Sequence, residues 1–267
     1  MQTSNPETDH GVIQGALYRQ LSLVYISKRR VSDMLIAGPC SLESYEKGLR
    51  DAQECKKLGI EYFRAGAFKP RTQPESFQGL REEGLEILSR IKKEVDIKIV
   101  TELVAAEFLP LYDDVDIIQI GSRNCQNFEL LKTVAKCGKP ILLKRGFGMT
   151  IEEFIGAANY LKHYGATDII LCERGIRTFE NSTRNTLDFG AIPIIQNSTD
   201  YKIIIDPSHG TGRRDLVIPM SKAAIAIGAD GLIVEATEKP DEALSDDFQT
   251  IGYEQLSQIK SIYDTKI

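Results

Sequence analysis

IIIDPSH, residues 203–209, runs three isoleucines straight into an acid, a proline, a hydroxyl and an imidazole. An apolar run with no polar alternation describes a strand buried on both faces, as in a parallel sheet covered by helices. Polar chemistry begins where the run stops, at the C-terminal end of the strand. The same phrase recurs along the chain. Met34–Ala37 leads to Gly38-Pro39-Cys40, Ile60–Phe63 to Arg64 and on to Lys69-Pro70-Arg71-Thr72, and Ile97–Val100 to Thr101-Glu102. Ile117–Ile120 leads to Gly121-Ser122-Arg123, Ile141–Leu143 to Lys144-Arg145-Gly146, Ile169–Cys172 to Glu173-Arg174-Gly175, and Leu232–Val234 to Glu235. Eight such runs, separated by stretches of helical period, predict an α/β protein with a (β/α)8 TIM barrel, whose site is built at the C-terminal ends of the strands.

The connecting helices are expected over Glu43–Leu58, Glu75–Lys93, Phe128–Cys137, Thr150–Tyr164, Val217–Ile227 and Glu254–Ile262. Gly59, Gly138, Gly165 and Gly228 follow four of them as C-terminal caps. Thr150 with Glu153 reads as a capping box. Residues 1–33 differ in character, polar at first and then carrying the basic cluster Lys28-Arg29-Arg30. They are expected to be an N-terminal extension or arm, with the catalytic barrel over 34–267.

The length of 267 residues suits one barrel domain, and a net charge of −5 supplies no broad positive field for nucleic acid or an anionic membrane. No run of about 20 apolar residues predicts a membrane-spanning helix. Met1–Gly15 lacks the pattern of a secretory leader. Five cysteines with no CxxC pair read as reduced thiols, so a cytoplasmic protein is expected.

Two sets of strand-end residues carry chemistry. Cys40, His209, Glu235 and the Asp246-Asp247 pair follow strands one, seven and eight, which are neighbours once a barrel closes. A thiol, an imidazole and carboxylates suit a first-row divalent metal better than calcium. The second set is cationic: Arg64, Lys69, Arg71, Arg123, Lys144, Arg145, Arg174, Arg213 and Arg214. So many cations on one rim of an acidic protein predict small phosphorylated or carboxylated substrates. Lys144 alone also admits a Schiff-base aldolase. The segment His209-Gly210-Thr211-Gly212-Arg213-Arg214 reads as a phosphate-cradling loop before a helix.

Taken together these residues resemble the 3-deoxy-D-arabino-heptulosonate 7-phosphate (DAHP) synthases, in the compact microbial branch related to KDO-8-phosphate synthase. The matching segments are IAGPCSLES (36–44), FRAGAFKPRT (63–72), SFQGL (76–80), QIGSRNCQNFELL (119–131), ILLKRGFGMT (141–150), ILCERGIRTFE (170–180), IDPSHGTGRRDLV (205–217), GADGLIVE (228–235) and ALSD (243–246). The resemblance implies a metal-dependent, aldol-like condensation of phosphoenolpyruvate with erythrose 4-phosphate, at the entry to the shikimate route to aromatic amino acids. It implies Cys40, His209, Glu235 and Asp246 as ligands to manganese or another first-row transition metal. It implies Arg123, Lys144 and Arg174 on phosphoenolpyruvate with Arg64 and Lys69 beside them, Arg71 and Thr72 on the aldose phosphate, and Glu102 and Asp206 as supporting acids. Lys69 is the expected proton donor, with a pKa lowered by neighbouring cations; Cys40 and His209 complete the expected catalytic set. A homo-oligomer, dimer or tetramer, is also implied.

KDO-8-phosphate synthases share the barrel but carry a KANRSS-like segment where Lys69-Pro70-Arg71-Thr72 stands here, which favours the four-carbon aldehyde over arabinose 5-phosphate. Two departures from the family pattern stand out. Asp247 follows Asp246 where relatives have a small residue, and Ala236-Thr237 follow Glu235 where relatives often carry a histidine. Family members often bear an extra control domain; residues 1–33 alone occupy that place, so weak or absent feedback inhibition is expected. A silent barrel that only senses anionic sugars is the remaining alternative, and retention of both Cys40 and His209 argues against it.

Overall fold

Side chains on a strand alternate between the barrel interior and the helix layer, and this period of two places both core and site. The computed structural model describes residues 34–71 and 73–265. Its strands are β1 (Met34–Gly38), β2 (Tyr62–Arg64), β3 (Lys98–Glu102), β4 (Ile117–Ile120), β5 (Ile141–Lys144), β6 (Ile169–Glu173), β7 (Lys202–Ile205) and β8 (Gly231–Glu235). They close in chain order into one barrel. All pairs are parallel, and closure sets Ile36 opposite Ile233 and Gly38 opposite Glu235. The predicted (β/α)8 barrel is therefore the observed one. The expected arm over 1–33 lies outside the described residues, as does Thr72.

Met34, Ile36, Tyr62, Val100, Ile117, Leu142, Ile170, Cys172, Ile204 and Ile233 form a single interior plug, with a contribution from every strand. Each fully buried aliphatic or aromatic side chain contributes about 1.5–3 kcal/mol relative to exposure. The next inward position, two residues further on, is Arg64, Glu102, Gln119, Lys144, Arg174, Asp206 or Glu235, within or one residue beyond the seven strands after β1. On β1 that position is Gly38, where a Cβ would lie 2.1 Å from the Arg64 carbonyl oxygen. The apolar plug thus floors a polar cup, and the register that packs one aims the other.

The helices are α1 (Tyr45–Lys57), α2 (Arg81–Val95), α3 (Phe128–Val134), α4 (Ile151–His163), α5 (Ala191–Ser198), α6 (Pro207–Thr211), α7 (Arg214–Ala226) and α8 (Tyr253–Thr265). The Thr150–Glu153 capping box is present at the start of α4. Helix α2 begins six residues after the expected Glu75, because Gly79 and Arg81 take positive φ values of 91° and 58° and break the helical path. Helix α3 ends at Val134, short of the expected Cys137. After β3 the chain makes a 3-10 turn over Ala106–Leu111 that contains Pro110, which cannot donate a backbone hydrogen bond. Helix α5 lies where no element was expected, and α6 overlaps the expected loop over 209–214. The supposed phosphate-cradling segment is α6 plus a turn, and its glycines serve packing. A Cβ at Gly210 would lie 2.5 Å from Leu187, and one at Gly212 would lie 2.6 Å from Arg184.

Candidate active site

A cleft of about 210 Å³ opens at the C-terminal end of the barrel, lined by Cys40, Arg64, Lys69, Arg71, Glu102, Arg123, Lys144, Arg174, His209 and Asp246 among others. Asp206 and Glu235, both fully buried, lie behind that lining, paired with Lys144 and Arg64.

Cys40, His209, Glu235 and Asp246 bring one donor atom each to within 4.8 Å of one another. Cys40 Sγ is 3.8 Å from His209 Nε2 and 2.9 Å from Asp246 Oδ2. His209 Nε2 is 3.1 Å from Glu235 Oε1. Burial lowers the His209 pKa against the pull of Asp206 and Glu235, so the imidazole is neutral. Its Nδ1 faces Asp206 Oδ2 at 2.8 Å, and that carboxylate is held well below the usual range by His209 and Lys144 despite its burial. The single ring proton therefore belongs on Nδ1, and Nε2 turns a lone pair toward Glu235. A lone pair facing a carboxylate at that distance repels unless a cation lies between them. Burial and the Glu235 charge push the Cys40 thiol upward, which a bound cation would reverse. The donor set fits a divalent first-row metal. Asp247 is outside this group; it lines a separate surface cleft with Arg213 and Asp215.

Around the cluster the cations divide into two kinds. Lys144 Nζ donates to Asp206 Oδ2 at 2.5 Å, and Arg64 Nη1 donates to Glu235 Oε1 at 3.1 Å. Lys69 Nζ reaches Cys40 Sγ at 2.7 Å and Asp246 Oδ2 at 3.4 Å. Arg71, Arg123 and Arg174 form no ion pair among the described residues. Arg174 is buried, its Nη1 lacks a hydrogen-bond partner among the described residues, and burial holds its pKa below the usual arginine value. Phe147 stacks on the Arg174 guanidinium, 4.7 Å from ring centroid to Cζ. A buried guanidinium with an unpartnered Nη1 and no ion pair among the described residues suits an anionic ligand.

Several expectations are corrected. Lys69 lies among anions, not cations: burial would lower its pKa, but Cys40, Asp246 and Glu235 raise it. Three of the rim cations serve structure. Arg145 is buried against Glu173 at 2.8 Å and Asp188 at 2.9 Å. Arg213 pairs with Asp215 at 2.7 Å and Arg214 with Asp241 at 2.8 Å, outside the main cleft. Thr237 fills the place of the family's histidine and donates its hydroxyl to Asp51 at about 3.0 Å.

The cleft also holds residues that the sequence did not single out. Gln119 donates Nε2 to Glu102 Oε2 at 3.1 Å. It is two positions beyond Ile117, so the inward period of two could have found it. Arg184 faces Asp246 and Gln249 faces Glu235, contacts made across 62 and 14 residues respectively. No local pattern announces either.

Comparison with known proteins agrees with this geometry. Residues 29–266 match the DAHP synthetase I family. The chain is 52% identical over 226 residues to the phospho-2-dehydro-3-deoxyheptonate aldolase of Thermotoga maritima, covering 84% of this chain and 67% of the relative. It is 33% identical over 245 residues to the 2-dehydro-3-deoxyphosphooctonate aldolase of Desulfotalea psychrophila, covering 85% and 86%. The crystal structure of the Thermotoga maritima phospho-2-dehydro-3-deoxyheptonate aldolase (DAHP synthase) superposes with a TM-score of 0.86 at 48% identity, over 91% of this chain and 72% of that one. A truncated form of 3-deoxy-D-arabino-heptulosonate 7-phosphate synthase from Thermotoga maritima gives 0.82 at 44% identity, over 91% and 90%. Among the described residues no helix is long and apolar enough to cross a membrane.

Proposed function

The chain belongs to the DAHP synthetase I family, and on that footing we propose that it condenses phosphoenolpyruvate with erythrose 4-phosphate to give DAHP and inorganic phosphate. The carrying observation is one cleft in which a Cys/His/Glu/Asp donor cluster adjoins Lys69 and a set of cations without anions. Cys40, His209, Glu235 and Asp246 hold the divalent ion, manganese or another first-row metal, which supplies Lewis acidity toward a carbonyl oxygen when bound.

The remaining work falls to the protein. Arg123, Lys144 and Arg174 take the carboxylate and phosphate of phosphoenolpyruvate, with Arg64 beside them, and Arg71 with Thr72 takes the phosphate of the aldose. Held this way, two anions that repel in water lie within bonding reach. The enol C3 forms a bond to the aldehyde carbon and leaves C2 electron-deficient. The aldehyde oxygen becomes an alkoxide and receives a proton from Lys69 Nζ, which its anionic neighbours keep charged. Water adds at C2 and gives one proton back to Lys69 Nζ, leaving a hydroxyl on C2. The C2–O bond to phosphate then breaks while the proton of that hydroxyl passes to the departing phosphate, giving the ketone and inorganic phosphate. Fixed guanidinium and ammonium groups stabilise the charge that builds through these steps, while Glu102 and Asp206 hold their partners in place.

The test is phosphate release with erythrose 4-phosphate and with arabinose 5-phosphate, after chelation and with each divalent metal added back. Erythrose 4-phosphate should be strongly preferred, and chelation should abolish turnover. Preference for arabinose 5-phosphate would assign the KDO-8-phosphate reaction instead. Full activity in chelator with borohydride trapping on Lys144 would assign a Schiff-base aldolase.

A further inference from the structure

Gln249 is fully buried beside the donor cluster, and its amide is oriented by two contacts. Its Nε2 donates to Glu235 Oε2 at 2.6 Å, and its Oε1 accepts from Arg184 Nη1 at 3.2 Å. The same Arg184 Nη1 donates to Asp246 Oδ1 at 3.0 Å. The other oxygen of each carboxylate turns the opposite way. Glu235 Oε1 lies 3.1 Å from His209 Nε2 and also accepts from Arg64 Nη1 at 3.1 Å, and Asp246 Oδ2 lies 2.9 Å from Cys40 Sγ and 3.4 Å from Lys69 Nζ. Each acid thus commits one oxygen outward, to the Arg184–Gln249 pair, and offers one to the cluster.

The backbone around Arg184 is built to deliver it. Residues 176 and 186 bridge as antiparallel partners at the base of an excursion after β6. Arg184 N donates to Thr211 O at 2.8 Å, Asn185 N to Gly210 O at 3.1 Å, and Asn185 Nδ2 to His209 O at 3.2 Å. The excursion is therefore zipped to α6, which carries His209. Asp246 itself is held at φ 55°, in the left-handed region that Asp tolerates better than most residues. Its carbonyl accepts from Gln249 N and Thr250 N, both at 3.2 Å, so Gln249 secures this ligand by main chain as well as by Arg184.

We propose that Arg184 and Gln249 are positioning residues that restrict Glu235 and Asp246 to one metal-facing oxygen each. A cation held by four single donors keeps open positions for substrate and water. Such a site disfavours calcium, which takes six to eight oxygens and often both oxygens of a carboxylate. The inference rests on the four-ligand assignment made above.

The experiment uses full-length protein freed of metal, titrated with cobalt(II) and separately with calcium, reading affinity and the visible cobalt spectrum. Four- and five-coordinate cobalt absorbs far more strongly than six-coordinate cobalt. Arg184→Met and Gln249→Met should each weaken cobalt binding about 10- to 100-fold, the usual effect of removing an outer partner of a ligand. Both should also lose absorption per bound cobalt and narrow the gap between cobalt and calcium, and Arg184→Lys should recover part of each change. Arg184 is half-exposed, so its variants remain informative should Gln249→Met fail to fold. Wild-type protein that binds no cobalt would overturn the ligand assignment and this inference with it. Wild-type binding with unchanged variant spectra, whether or not affinity falls, would overturn the clamp alone.

Discussion

Asp206 Oδ2 lies 2.8 Å from His209 Nδ1 and fixes which imidazole nitrogen is left to bind a cation. The same oxygen accepts from Lys144 Nζ at 2.5 Å, and Asp206 Oδ1 accepts from the His209 backbone N at 2.9 Å. One buried acid therefore contacts His209, the proposed metal ligand, Lys144, the proposed substrate cation, and the start of α6. Asp206→Asn should weaken metal binding about 10- to 100-fold. Leaving Lys144 buried without its counter-charge should also cost about 3–5 kcal/mol. Metal titration and denaturant unfolding read the two effects separately, and wild-type affinity in the variant would refute the orienting role.

Lys69→Met keeps the length of the stem and removes the ammonium that touches Cys40 and Asp246. If Lys69 donates the proton, kcat should fall about 10²- to 10⁴-fold. A raised KM for the aldose with kcat intact would make Lys69 a binding residue only.

Asp51 is a buried carboxyl behind β8, accepting from Tyr253 Oη at 2.5 Å, from Thr237 Oγ1 and from Glu238 N at 3.1 Å. Burial pushes its pKa up to about 6, above the ordinary aspartate value, against those hydrogen bonds. Between pH 4 and 6 the folded form holds more proton than the unfolded form, so stability falls as pH rises through that window. Once Asp51 is ionised the penalty is fully present, on the order of 3 kcal/mol. Asp51→Asn removes it. Urea midpoints should show the variant gaining on the wild type from pH 4 to 6 and no further change in the difference above pH 7. A difference that is flat with pH would refute the shift.

Gly38 and Gly228 both take positive φ, 144° and 85°, but they differ in surroundings. A Cβ on Gly38 would lie 2.1 Å from the Arg64 carbonyl oxygen, whereas nothing lies within 4 Å of one on Gly228. Gly228→Ala should cost only the backbone conformation, about 1 kcal/mol. Gly38→Ala adds overpacking against main chain, for about 2–6 kcal/mol in all. It should also weaken metal binding, because Cys40 and the Arg64 guanidinium are carried by the displaced segments. Equal costs in thermal unfolding would contradict the close approach of β1 to β2.

The barrel was legible because its strands are short, mainly apolar runs without regular polar alternation, and Ile117–Ile120 appears with the very bounds expected. The four donors were legible because strands one, seven and eight must be neighbours in a closed barrel. Cation roles were less so. Arg145 and Arg174 stand one residue after β5 and β6, yet Arg145 is consumed by Glu173 while Arg174 keeps an unpaired Nη1. Sequence shows the charge but not the counter-charge that a distant segment supplies. The same reason hid Arg184 and Gln249, and it reversed the expected pKa direction of Lys69. Helix α5 was missed because Ala191–Ser198 is only two turns long and carries Pro193 in its first turn, so its period never establishes itself.

The seam between β1 and β8 has a consequence for synthesis. Cys40 and Asp246, whose side chains meet, are separated by 206 residues. A chain emerging from the ribosome owns its thiol early and its final carboxylate almost last. It cannot grip an ion with all four donors until the terminal strand has zipped to the first. An ion held by this cluster would therefore report ring completion, its binding energy arriving at the step that seals the ring.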